Sequence, residues 1–138
     1  MKEQPKLTNL EAEGAVLASL LLDDSWLVEI KKSLSVGDFS LDQHQRIFKA
    51  MLETKALDEI TVAQKMRDQG TLQKYDCAYL AEIIAKLPTS VHCRYYADIV
   101  KDLSLRRQNV TKAGEMAERA YEGKLNKART LNIKAKQQ

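Results

Sequence analysis

VHCRYYADIVKDLSLRRQNVTKAGEMAERAYE, residues 91–122, decides the fold, because it holds no proline and its one glycine, Gly114, is isolated. Read as a single helix, this stretch is about 48 Å long at 1.5 Å per residue, longer than a small domain is wide. Its far half is therefore expected to leave the globular body. Residues seven apart along it are Tyr96, Leu103, Val110 and Ala117, and three positions later come Ile99, Arg106, Ala113 and Ala120. That is a narrow apolar seam interrupted by one arginine, the pattern of a helix that packs along another. After Gly123 the apolar residues Leu125, Leu131 and Ile133 are sparse among lysines. The expected cover for the seam is a second polypeptide.

The sequence before residue 91 reads as a series of shorter helices. Thr8-Asn9-Leu10-Glu11, Ser40-Leu41-Asp42-Gln43 and Thr61-Val62-Ala63-Gln64 each have the form of a capping box. A hydroxyl serves a free backbone N–H while the acid or amide three residues on serves the hydroxyl's own residue. Val16, Leu17, Leu20 and Leu21 repeat at helical spacing after the first box. A short helix starting at Ser25 is expected to bury Trp26, Leu27 and Ile30, and residues 33–40 read as a loop. Ile47, Phe48, Met51 and Leu52 share a face after the second box. Gly70 stops the fourth helix as a left-handed residue, and Pro88 ends the fifth, which buries Tyr79, Leu80, Ile83, Ile84 and Leu87. No stretch alternates apolar and polar over strand length. The fold class is all-α: a compact multi-helix head over residues 1–95, a projecting helix over 96–123 and a basic tail over 124–138.

Composition limits what such a chain can do. It has 138 residues, 44% hydrophobic and 30% charged, ordinary for a globular protein and too apolar for a disordered one. No apolar run approaches the roughly 20 residues of a membrane span, and the first residues are not of signal-peptide type, which points to the cytoplasm. Cys77 and Cys93 are then expected to be reduced and structural. The net charge of +3 is uneven: residues 1–100 carry 12 basic and 15 acidic groups, residues 101–138 carry 10 and 4. The tail from Lys124 to Lys136 suits weak contact with a nucleic-acid backbone, but it has no aromatic residue on which a base stacks. A small helical DNA-binding protein using this end is the alternative function.

Catalytic signatures are missing from these residues. The glycines at 14, 37, 70, 114 and 123 include no phosphate-cradling pair. His44 and His92 lie far apart, no close pair of metal ligands occurs, and no nucleophile motif organises the serines. No cofactor, metal or catalytic residue is expected. His44 reads as a hydrogen-bonded packing residue and Trp26 as a core or domain-edge residue. The expected site is a partner-binding one: Tyr96, Leu103, Arg106, Arg107, Val110, Ala113, Ala117 and Tyr121.

Several stretches in order resemble the N-terminal domain of bacterial replicative DNA helicases of the DnaB type. They are Asn9-Leu10-Glu11-Ala12-Glu13, Val16 to Asp23, Asp38-Phe39, His44, Ile47-Phe48 and Ala50-Met51-Leu52. Thr61-Val62, Gly70-Thr71-Leu72, Tyr79-Leu80-Ala81-Glu82, Leu87-Pro88-Thr89-Ser90, Tyr95 to Val100 and Leu105-Arg106-Arg107 continue the match. The resemblance implies a helical head followed by a helical hairpin. It also implies pairing of hairpins between subunits and contact with primase or helicase in DNA replication. Residues 91–122 fall where the first hairpin arm stands, and no second arm is evident after Gly123. Gly14 inside the first helix and Ser40, where the family often has an aromatic, depart from the pattern. The ATPase domain of those helicases has no counterpart in these residues, so the expected function is a non-catalytic interaction module.

Overall fold

A computed structural model of the chain describes residues 4–123. The sequence-based assignments for the basic tail fall on 124–138, outside the described residues. All regular structure among the described residues is helical: α1 Leu10–Leu22, α2 Leu27–Ser33, α3 Asp42–Glu53, α4 Glu59–Asp68, α5 Asp76–Lys86 and α6 Cys93–Tyr121. Short 3-10 turns at Asp24–Trp26 and Val36–Asp38 flank α2. The chain forms two compact units, one reaching Ser104 and one starting at Leu105.

Helix α1 is the axis of the first unit. Val16, Leu17, Ala18 and Leu20 are all fully buried, so apolar groups surround it instead of lining one stripe. It packs against α3 and α5, while α4 packs on both of those helices. Ile47, Phe48 and Met51 of α3 and Leu80 and Ile83 of α5 close the core from two sides. Phe39 joins them from the preceding loop, its ring 4.9 Å from that of Phe48. Ile30 is buried as expected, whereas Trp26 and Leu27 are half-buried and Leu52 lies at the surface.

Residues 93–104 of α6 complete this unit by burying Cys93, Ala97, Val100 and Ser104. Asp38, itself buried, ties the helix down: its carboxylate accepts from Ser104 Oγ at 2.6 Å, from the Ser35 backbone N–H at 2.8 Å and from Lys101 Nζ at 3.4 Å.

The helices are punctuated by neighbours of the residues their capping boxes single out. Asn9, not Thr8, caps α1, its Oδ1 accepting from the Ala12 N–H at 2.9 Å. Asp58 caps α4 by accepting from both the backbone and the hydroxyl of Thr61, so that helix begins two residues before Thr61. The carboxamide and carboxylate outcompete the threonine hydroxyl next to or near them. Helix α3 starts after Leu41 with no side-chain cap, because Ser40 has another partner. Gly70 does end α4: its φ of 73° turns the chain so that Thr71 N and Leu72 N both donate to Met66 O.

Candidate functional site

Ser40 donates its backbone N–H to Glu13 at 3.0 Å and its hydroxyl at 2.6 Å. The same carboxylate lies 2.9 Å from His44 Nδ1, and His44 Nε2 meets the hydroxyl of Tyr79. Four side chains from α1, the loop before α3, α3 and α5 thus form one chain of hydrogen bonds. His44 and Glu13 are buried within it. Its polarity is fixed from the Glu13 end. Burial disfavours the charged carboxylate, but the hydrogen bonds from His44 and Ser40 outweigh that cost and hold Glu13 below its ordinary pKa. An ionised Glu13 only accepts, so His44 presents a proton to it on Nδ1, and with Nε2 as the bare nitrogen the Tyr79 hydroxyl donates to it.

Gly14 makes the close approach of Tyr79 possible. A Cβ at this position would lie 3.2 Å from the Tyr79 oxygen and 3.6 Å from Ile83 Cγ2. The helix gives up roughly 1 kcal/mol of propensity relative to Ala there. In return, the phenol reaches the imidazole.

Above this chain opens a groove of about 670 Å³. Leu10 and Gly14 of α1, Tyr79 and Ile83 of α5, and Tyr96 and Ile99 of α6 are among its walls, with His44 at the floor. Every one of these residues belongs to the first unit. A second buried pair braces the same N-terminal end of α3. Asp76, 1% exposed, accepts from the Arg46 guanidinium, from Gln43 Nε2 at 2.9 Å and from the Gln73 backbone N–H at 2.7 Å. Burial works against its charge too, yet these donors lower its pKa, as Ser104, Ser35 and Lys101 lower that of Asp38.

Three buried carboxylates with depressed pKa, Glu13, Asp38 and Asp76, dominate the response to acid. The folded state binds protons less readily than the unfolded chain at each of them. Their contribution is therefore complete above the ordinary carboxylate range near pH 4 and is lost as pH falls through the lower folded values. The urea midpoint is expected to hold between pH 7 and 5 and to drop steeply below about 4. Urea titrations at pH 7, 5 and 3.5 check this, and an unchanged midpoint at pH 3.5 would show that these groups are not the acid-sensitive ones.

Of the eight residues the sequence marks as partner-binding, Tyr96 and Leu103 lie in the first unit, both half-buried. Arg106, Arg107, Val110, Ala113, Ala117 and Tyr121 lie in the second. Within the second unit, Val110 is 61% exposed, Met116 58% and Tyr121 94%, and Ala113 and Ala117 are exposed as well. Val110, Ala113, Ala117 and Tyr121 follow at intervals of three and four, so they share one helical face. The seam reading missed the groove and the buried chain beneath it. Two clues pointed there: a glycine inside a strongly apolar helix, and a serine where an aromatic was expected.

No group of three or more His, Cys, Asp or Glu side chains is placed to hold a metal among the described residues. None of the described helices is long and apolar enough to cross a membrane.

A family model for the DnaB-like helicase N terminal domain matches residues 5–102. The replicative DNA helicase DnaB of Treponema pallidum is 38% identical over 104 residues, covering 72% of this chain and 24% of the helicase. For the replicative DNA helicase DnaC of Bacillus subtilis the identity is 32% over 118 residues, with 82% and 26% covered. The chain thus spans about a quarter of the length of the curated relatives it matches. The crystal structure of the N-terminal domain of DnaB helicase from Mycobacterium tuberculosis superposes with a TM-score of 0.81 at 30% identity, covering 87% of this chain and 86% of that one. The N-terminal domain of DnaB helicase from Helicobacter pylori, described with its interactions with primase, gives 0.69 at 23% identity, with 80% and 90% covered, a likeness of fold.

Proposed function

The chain belongs to the DnaB-like helicase N-terminal domain family, and from that premise we propose that it is a non-catalytic interaction module of DNA replication. It associates with copies of itself and contacts a replicative helicase or a primase through the exposed face of the second unit. The observation that carries this reading is the helical face on which Val110, Ala113, Ala117 and Tyr121 stand uncovered. Neighbouring apolar groups on an exposed helix mark a surface that another protein covers. Arg106 and Arg107 flank this face and supply charge for orientation, with Tyr96 and Leu103 continuing the heptad spacing into the first unit. The H. pylori relative, described with its interactions with primase, supports the choice of partner. The same reading places the module in the cytoplasm, beside replicating DNA.

Val110→Asp tests it. An association that buries this position would have to desolvate a carboxylate with no waiting donor. Sedimentation equilibrium of the wild-type chain is expected to reveal self-association. The variant is expected to associate at least tenfold more weakly, corresponding to about 1.4 kcal/mol or more. Circular dichroism should be unchanged, because Val110 is largely solvated in the single chain. Equal association of the two proteins, or a wild type monomeric at high concentration, overturns the self-association part. Retention of purified helicase and primase on immobilised chain tests the other part, and failure to retain either overturns it.

A further inference from the structure

The groove over Tyr79 lies within the first unit and shares only Tyr96 with the residues assigned to self-association. Its walls are apolar at Leu10, Ile83, Leu87, Tyr96 and Ile99. Its floor is polar in one sense only. With His44 protonated on Nδ1 toward Glu13, a bare Nε2 uses the single proton of the Tyr79 hydroxyl, so the oxygen keeps only lone pairs for anything above it. That proton stays in place, since burial together with the carboxylates of Glu82 and Glu13 pushes the Tyr79 pKa up to about 12.

Charge around the groove is biased in the same direction. Glu11 stands on its lip, and Glu82 and Glu13 are close enough to act on the Tyr79 hydroxyl. Lys86 is the one cation among the described lining residues, and it is paired with Glu82 at 2.8 Å. An occupant has to cover apolar walls, donate to an acceptor-only floor and tolerate a net negative rim. A neutral apolar molecule leaves the Tyr79 oxygen without a donor, and an acidic segment meets Glu11. The volume is within the range of about 300–1,000 Å³ typical of ligand clefts.

The geometry points to a docking site for a basic amphipathic helix of a partner protein. The helix lays its apolar stripe against Leu10, Ile83, Leu87 and Ile99 and sets a lysine or arginine N–H over the Tyr79 oxygen. This is helix-in-groove recognition with a charged donor as the register-setting contact. Specificity comes from the floor, because a partner lacking the donor leaves a desolvated acceptor unpaired.

Two synthetic peptides of equal length test the site on the full chain: an amphipathic Leu/Lys helix and its Leu/Glu counterpart. In an NMR titration the Leu/Lys peptide is expected to shift the resonances of Tyr79, Ile83 and Ile99, with an affinity that falls as salt rises. The Leu/Glu peptide should bind at least tenfold more weakly. Glu11→Lys and Leu10→Lys, both at exposed positions, are each expected to weaken Leu/Lys binding at least tenfold with unchanged circular dichroism. Tyr79→Phe should weaken it several-fold. Val110→Asp should leave it untouched, which separates this site from the face on the second unit. Equal binding of both peptides overturns the proposal, as do unaltered affinities in both lip variants. Loss of self-association in Glu11→Lys also overturns it, since the groove would then be occupied by a second copy.

Discussion

Replacing His44 with alanine is expected to lower the stability of the first unit by about 3 kcal/mol, from the loss of a buried side chain and of a donor to a buried carboxylate. Two effects combine. The imidazole is fully buried, so its removal leaves a cavity against Phe39 and Tyr79, whose rings lie 6.4 and 5.5 Å from it. Glu13 also loses a donor while remaining 2% exposed, and the Tyr79 hydroxyl loses its acceptor. Ser40 still donates twice to Glu13, which keeps the loss from being larger. For a unit of about 100 residues this corresponds to a fall in Tm of roughly 12–24 °C. Tyr79→Phe, which removes one partly exposed hydroxyl, should cost only about 1 kcal/mol. Calorimetry of the three proteins gives the ranking, and a loss under 1 kcal/mol for His44→Ala would mean that the hydrogen-bonded chain is incidental to the fold.

Asp76→Ala comes next, again with an expected cost of about 3 kcal/mol. This carboxylate is the common acceptor for Arg46, Gln43 and the Gln73 backbone N–H, so its removal strands three donors at once. Arg46 has alternatives in Asp42 at 2.8 Å and the Thr71 carbonyl at 3.0 Å, but these lie toward solvent and toward the α4–α5 connection. The variant should also show a shallower loss of stability between pH 5 and 3, because one of the depressed carboxylates is gone. Urea titrations at pH 7, 5 and 3 measure both effects. An unaltered midpoint at pH 7 would show that the surrounding donors find water instead.

Much of the helical order is legible in the sequence because it depends on local physics. Gly70, Pro88 and the spacing of Val16, Leu17 and Leu20 act over a few residues, and the structure follows them. The caps were displaced by one to three positions because Asn9 and Asp58 compete with Thr8 and Thr61 to start the helix, each serving the N–H three residues on. Local pattern alone does not rank such competitors. The buried chain through Glu13, Ser40, His44 and Tyr79 is a different matter. Its members are 27 to 35 residues apart, and no periodicity joins a glutamate on one helix to a tyrosine four helices later. Ser40 looked like a cap because a serine before a helix usually is one; a carboxylate from α1 captured it instead. The exposed face at Val110 and Tyr121 was legible for the opposite reason. A heptad pattern with nothing to cover it is a property of one helix alone.

Gly14 has a consequence for whatever enters the groove. Where a backbone forms part of a receptor wall, there is no χ angle to freeze and no side chain to swing aside. The imidazole and phenol beside it are already fixed by their mutual hydrogen bond. A visitor to this part of the protein finds its surface preorganised, so little of the contact energy is spent on ordering the host. A methyl group at 14 would stand 3.2 Å from the phenol oxygen and oblige it to give by a few tenths of an ångström, so the missing side chain helps to set the depth of the cleft.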